Sequence, residues 1–148
     1  MKLIGWIARV AVAAVFIAAA IPKIVDPAAF FASIQSYRLI PDGAAAILAV
    51  WLPWLELGAA LAIFPRRQRS GALWLLLALT SVFLVALGQA WLRGLDITCG
   101  CFGSTATVRG SAYLGYLFRD GLLAAAIAFL LWQESLAAHP PGASRGPG

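Results

Sequence analysis

Four apolar runs of membrane length, at about residues 3–21, 44–64, 71–91 and 113–132, constrain this chain more than anything else in it. At a helical rise of about 1.5 Å per residue, each run can cross a hydrocarbon core of about 30 Å. Lipid offers the backbone no hydrogen-bond partners, so runs of this kind must be helical. The expected fold is all-α: a polytopic membrane protein built as a four-transmembrane-helix bundle. Composition agrees, since 62% of the 148 residues are apolar and 11% charged, which excludes an ordinary soluble domain. The net charge of +5 does not mark a nucleic-acid binder. The basic residues are scattered singly or sit in the turn at 66–69, and no basic stripe forms. They report topology and contact with anionic lipid.

The punctuation between runs sets the domain plan. Lys2 and Ala18-Ala19-Ala20 give the first run some features of a secretory signal, but its length and the internal Arg9 favour a span. In the connection 23–43, Asp26 is placed as an N-cap before Pro27 at the first helical position, and Phe30, Ile34 and Tyr37 follow at helical spacing. A short interfacial helix between spans one and two is expected there, ending before Pro41-Asp42-Gly43. A single membrane domain is expected over 1–133, with 93–112 as the cysteine loop, and 134–148 is expected to be a disordered tail.

Charges inside the spans are costly unless they are paired. Glu56 lies in the second run about 12 Å from its Phe64 end, and Arg9 in the first about 9 Å from its Leu3 end. Those ends of two antiparallel helices face the same side, so an Arg9–Glu56 ion pair fixing helix register is expected.

Both cysteines of the chain fall in the segment Cys99-Gly100-Cys101-Phe102-Gly103. Extended residues two apart stand near the upper limit of about 6.8 Å between Cα atoms that a disulfide tolerates, so the backbone must bend. Gly100 and Gly103 supply that bend. A disulfide in so small a ring is strained and exchanges readily, which makes Cys99 and Cys101 a candidate redox pair. The one histidine, His139, lies in the tail, so no metal site within one chain is expected. Lys23, Arg93 and Arg119 all reach the cysteine side of the membrane, where positive charge would favour a thiolate. The competing role for these three is snorkelling to headgroups. Arg66, Arg67 and Arg69 form a compact cluster in a very short loop and orient both termini to the cytoplasm of a cell (inner) membrane, with the cysteine loop outside.

The succession Arg9, Lys23-x-x-Asp26-Pro27-x-x-Phe30, Tyr37-Arg38-Leu39-Ile40-Pro41, Leu52-Pro53-Trp54-Leu55-Glu56-Leu57, Arg93-Gly94, Cys99-Gly100-Cys101-Phe102-Gly103 and Arg119-Asp120 resembles the methylamine-utilisation MauE proteins of the wider DoxX-like membrane family. The resemblance implies a four-helix inner-membrane protein linked to disulfide formation or thiol transfer in extracytoplasmic proteins, alongside a thioredoxin-like partner. On that likeness Cys99 and Cys101 are the redox pair, and Lys23, Glu56, Arg93, Arg119 and Asp120 match the family's charged positions. The chain has no second dithiol for an internal relay, so electrons pass either to a membrane quinone or to an external partner. The alternative is a non-catalytic assembly or anchoring subunit, suggested by the small residues Gly58-Ala59-Ala60 and Ala124-Ala125-Ala126 and by the lack of an evident polar cavity. Too few polar groups lie in the spans for a transporter or channel.

Overall fold

The computed structural model describes residues 2–98, 107–108, 110 and 112–138. Four long helices, α1 (Lys2–Val25), α3 (Asp42–Ala62), α4 (Arg69–Leu92) and α5 (Ala112–Ala138), are each long and apolar enough to cross a membrane. A short helix, α2 (Pro27–Ser36), lies between the first two spans. The two-residue segments β1 (Ile97–Thr98) and β2 (Thr107–Val108) pair antiparallel. The fold class is the one expected from the sequence.

Each long helix buries one stripe at helical spacing: Val12, Phe16, Ala20 and Lys23 on α1, and Ala45, Ala49, Pro53, Glu56, Ala60 and Ile63 on α3. The alanines let α1 and α3 approach closely. The other close pair is α4 with α5, and α3·α4 and α1·α5 contacts close the ring. All six tryptophans face outward, between 43% and 69% exposed. In water such a surface would aggregate; against lipid tails it is the expected outer face.

Two apolar layers fill the interior. Near the α3–α4 turn, Val12, Phe16, Ile63, Leu73, Leu76, Ile127 and Leu130 pack together. At the other end, Tyr37, Leu87, Ala90, Ile97 and Tyr113 form a second cluster beneath β1. The end of α4 shows how the chain is turned into the cysteine loop. Gly94, at φ 62°, donates from its N–H to the Trp91 carbonyl, and Leu95 donates to the Ala90 carbonyl. That is a Schellman closure, which needs a left-handed residue at the glycine. The Tyr113 hydroxyl then donates to the Leu95 carbonyl and ties the loop's base to α5.

The N-cap reading of Asp26 matches the structure: its carboxylate accepts from the Ala29 N–H at 2.9 Å, with Pro27 opening α2. Two expectations need correction. First, Arg9 does not reach Glu56. Its Nη2 donates to Glu134 Oε1 at 3.1 Å. Second, α5 runs past the expected boundary at 133 to Ala138, because Glu134 is held by two arginines rather than hanging in a free tail. Residues 139–148, including His139, lie outside the described residues. The second of those arginines is Arg69, expected to be an orienting loop charge. It is buried, donating from Nε to the Ile63 carbonyl and from Nη2 to the Phe64 carbonyl, so it closes the C-terminal end of α3 while its Nη1 pairs with Glu134 at 3.0 Å.

Glu134 therefore links α1, α4 and α5 at one end of the bundle. Glu134→Ala should destabilise the detergent-solubilised protein by about 2 kcal/mol, and Arg9→Ala by less, because the Arg69–Glu134 pair survives it. Arg69→Ala, which also uncaps α3, should cost at least as much as Glu134→Ala. Denaturant titrations followed by circular dichroism check the order.

Candidate functional site

The partner of Glu56 is Lys23. Its Nζ lies 2.9 Å from Glu56 Oε1 and 2.7 Å from Oε2, and the two side chains are only 7% and 10% exposed. The ammonium also stands 5.0 Å from the centre of the Phe30 ring, on α2. Lys23 sits about 3 Å from the end of α1, whereas Glu56 sits about 21 Å from the start of α3. They meet because the opening turns of α3 rise beyond the end of α1 and pack on α2 instead. The hydrogen bond from Gln35 Nε2 to Asp42 Oδ1 fixes that arrangement.

A second pair lies on α5. Arg119 reaches Asp120 Oδ1 at 2.9 Å, through both Nε and Nη2, and its guanidinium stands 5.2 Å from the Tyr116 ring centre. Asp120 is buried, its side chain 7% exposed, while that of Arg119 is 38% exposed. The Oδ2 atom of Asp120 is buried with no hydrogen-bond partner among the described residues.

Both pairs line one cavity of about 360 Å³ inside the bundle. Val15, Phe16 and Ala19 of α1 and Thr80 and Phe83 of α4 complete most of its wall. The cavity is largely apolar but carries polar groups that no single stretch of sequence made evident: Lys23, Glu56, Thr80 and Asp120 each continue the buried stripe of their own helix and line the same space. The depth follows from three independent rulers. Lys23 stands about 21 Å along α1 from Arg9, Asp120 about 21 Å along α5 from Glu134, and Thr80 about 16 Å along α4 from Arg69. Thr80 is midway along α4, whereas Lys23 lies near the end of α1 and Asp120 eight residues into α5, so the charged layer lies inside the bundle, well removed from the Arg9–Glu134–Arg69 end.

Cys99, Gly100, Cys101 and Gly103 lie outside the described residues. Their attachment is described: Cys99 is bonded to Thr98 at the end of β1, and the neighbouring Ile97 is fully buried in the second apolar cluster. Within that cluster Tyr37 meets Phe83 edge to face, with ring centres 6.3 Å apart, and Phe83 lines the cavity. A continuous packed path therefore joins the root of the cysteine loop to the charged cavity below it. Arg93 is exposed at the C-cap of α4 and does not line the cavity. Lys23 and Arg119 come together there, but each faces a carboxylate of its own.

Fold and site define a polytopic four-helix membrane protein with two ion pairs lining one cavity inside the bundle and both cysteines following β1 in the chain. The match to known families is then specific. A family model described as "Methylamine utilisation protein MauE" matches residues 1–133, and the chain belongs to that family. It is 34% identical over 98 residues to the methylamine utilization protein MauE of Paracoccus denitrificans, covering 66% of this chain and 53% of that protein. The Methylophilus methylotrophus MauE is 37% identical over 99 residues, covering 66% and 52%. The chain thus spans about half the length of the curated relatives it matches. No solved structure matches it.

Removing one member of a buried pair strands the other charge in a medium that cannot solvate it. Lys23→Met and Glu56→Leu should each destabilise the protein by about 3–5 kcal/mol, whereas the double variant should recover most of the loss. A double-mutant cycle on unfolding in detergent measures the coupling; additive losses would show that the pair does not act as a unit.

Proposed function

We propose that this chain is a membrane accessory protein of methylamine utilisation that exchanges thiols and disulfides with extracytoplasmic proteins through Cys99 and Cys101. Membership of the MauE family is the observation that carries the accessory role. The redox role is supported by the placement of the chain's two cysteines directly after β1, whose root is packed on the bundle. In the exchange, a partner thiolate attacks the Cys99–Cys101 disulfide and one sulfur leaves as a thiolate. The partner's second thiolate then resolves the mixed disulfide. The partner gains a disulfide, and the cysteine pair takes up two electrons and becomes a dithiol. A thioredoxin-like protein, with its own exposed dithiol, is the partner class that suits this chemistry. Arg93, next to the loop in sequence, is the basic side chain proposed to favour the thiolate form.

The proposed orientation places both termini in the cytoplasm and the loop outside. The exposed Arg66 and Arg67 in the α3–α4 turn support it, and disulfides persist on the outer side.

Two measurements test this reading. In intact cells, a membrane-impermeant thiol reagent should label Cys99 and Cys101 only after mild reduction; labelling that requires opening the membrane would reverse the orientation. A chain keeping one cysteine should accumulate a reductant-sensitive adduct with an extracytoplasmic protein, and Cys99→Ser/Cys101→Ser should form none. Full activity of that double variant in cells would instead assign the chain an anchoring role.

A further inference from the structure

We propose that the mid-bundle cavity binds the headgroup of a membrane quinone and prefers its reduced, quinol form. The proposal rests on the thiol reading only for its purpose, since a dithiol formed at the loop needs a two-electron acceptor. The binding claim stands on the cavity itself.

Four properties of the cavity select this ligand. Its volume of about 360 Å³ lies at the small end of the range for ligand sites, room for a single-ring headgroup. Its wall is largely apolar, with the rings of Phe16 and Phe83 available to contact a planar ring. Val15 and Leu122 line it and are also exposed on the outer face of α1 and α5, so it opens laterally toward lipid. A ligand reaching it through that mouth dissolves in the membrane and leaves its tail there. Finally, its ionised groups cancel, Lys23 against Glu56 and Arg119 against Asp120, so a charged ligand would add an uncompensated charge inside the bundle.

The hydrogen-bonding capacity then discriminates between redox forms. Lys23 engages both oxygens of Glu56. Thr80 donates its hydroxyl hydrogen to the Leu76 carbonyl at 2.8 Å, which leaves its oxygen as an acceptor. Asp120 Oδ2, buried and unpartnered among the described residues, is a second and stronger acceptor on the facing helix. Lys23 and Arg119 also carry N–H donors, but the bonds described for them run to Glu56 and Asp120, so the acceptors on α4 and α5 are left to select a ligand that donates. A quinol offers two O–H groups; a quinone offers only carbonyl oxygens. A hydrogen bond to a carboxylate is strong enough to favour the quinol by about tenfold or more. For this two-electron couple, tenfold preference raises the potential of the bound pair by about 30 mV, making the bound quinone a better oxidant of a dithiol.

The test uses the full chain carrying Cys99→Ser/Cys101→Ser in lipid nanodiscs, so that a failure of the thiol reading cannot affect it. Binding of radiolabelled decyl-tailed benzoquinol and of the corresponding benzoquinone is measured separately. The expected result is saturable binding of both, tighter for the quinol by about tenfold. Asp120→Asn, whose amide both donates and accepts, should reduce that preference to near one without abolishing binding. Ala19→Leu, which fills the cavity without removing a charged group, should weaken both ligands together; its helical circular dichroism and unfolding midpoint report whether it has folded. Val15→Trp, at the lipid-facing mouth, provides a second block that leaves the core untouched. Absence of saturable binding, equal affinity for the two forms in the parent chain, or binding unchanged in both folded blocking variants would each overturn the proposal. Displacement of the quinol by an equal concentration of diacylglycerol would overturn it as well, since the site would then read a lipid hydroxyl and not a ring.

Discussion

The structure is organised by a single constraint: a charge carried into the hydrocarbon layer must find its counter-charge there. Lys23 and Glu56 satisfy it across α1 and α3 with contacts of 2.7 and 2.9 Å, and the rest of the upper bundle conforms to that contact. For Glu56 to reach Lys23, α3 must stand higher than α1 by several turns. The space left above the end of α1 is then occupied by α2, which packs on α3, places Phe30 beside the Lys23 ammonium and contributes Tyr37 to the cluster under β1. The base of the cysteine loop rests on that cluster. A salt bridge inside the bundle thus sets the position of β1, from which the cysteine segment continues in the chain.

The opposite end answers the same constraint differently. Glu134 accepts from both Arg9 and Arg69, and Arg69 also closes the exposed carbonyls at the end of α3. Two cations share one anion there, and the side chains of Arg9 and Glu134 remain partly exposed. The layer at the cavity, with two cations and two anions, is balanced and more deeply buried at Lys23, Glu56 and Asp120. Stability needs no such balance beside a cavity, since an apolar filling would do as well or better. Stability alone therefore does not explain two ion pairs around a hollow.

Much of this was legible in the sequence because one-dimensional patterns carry it. Run length and hydropathy fix the four spans, and Asp26-Pro27 fixes the start of α2 through capping chemistry that involves only its immediate neighbours. The two cysteines announce a redox candidate by spacing alone. Glu56 stands out as an intramembrane carboxylate, and its place on the buried stripe of Ala45, Ala49 and Pro53 was readable from the spacing. Lys23 was read as a charge at a span end, although it too continues a buried stripe, that of Val12, Phe16 and Ala20.

What the sequence could not decide was the axial offset between helices. Depth along a helix is a local quantity, but the partner of a charge depends on how far one helix slides past another, and α2 makes that slide large between α1 and α3. Counting from aligned helix ends therefore paired Glu56 with Arg9, while the fold gives Glu56 to Lys23 and Arg9 to Glu134. The cavity is likewise a tertiary fact: Thr80 is a plain polar residue and Asp120 a charge singled out only by the family resemblance, on separate helices, until packing turns both toward the same space. The sequence by itself determined the membrane bundle and its cysteine loop, because hydrophobicity and covalent spacing are properties of the chain. Only the tertiary structure decided which charges meet and what they enclose, because electrostatic pairing in a low-dielectric interior depends on distances that the chain acquires on folding.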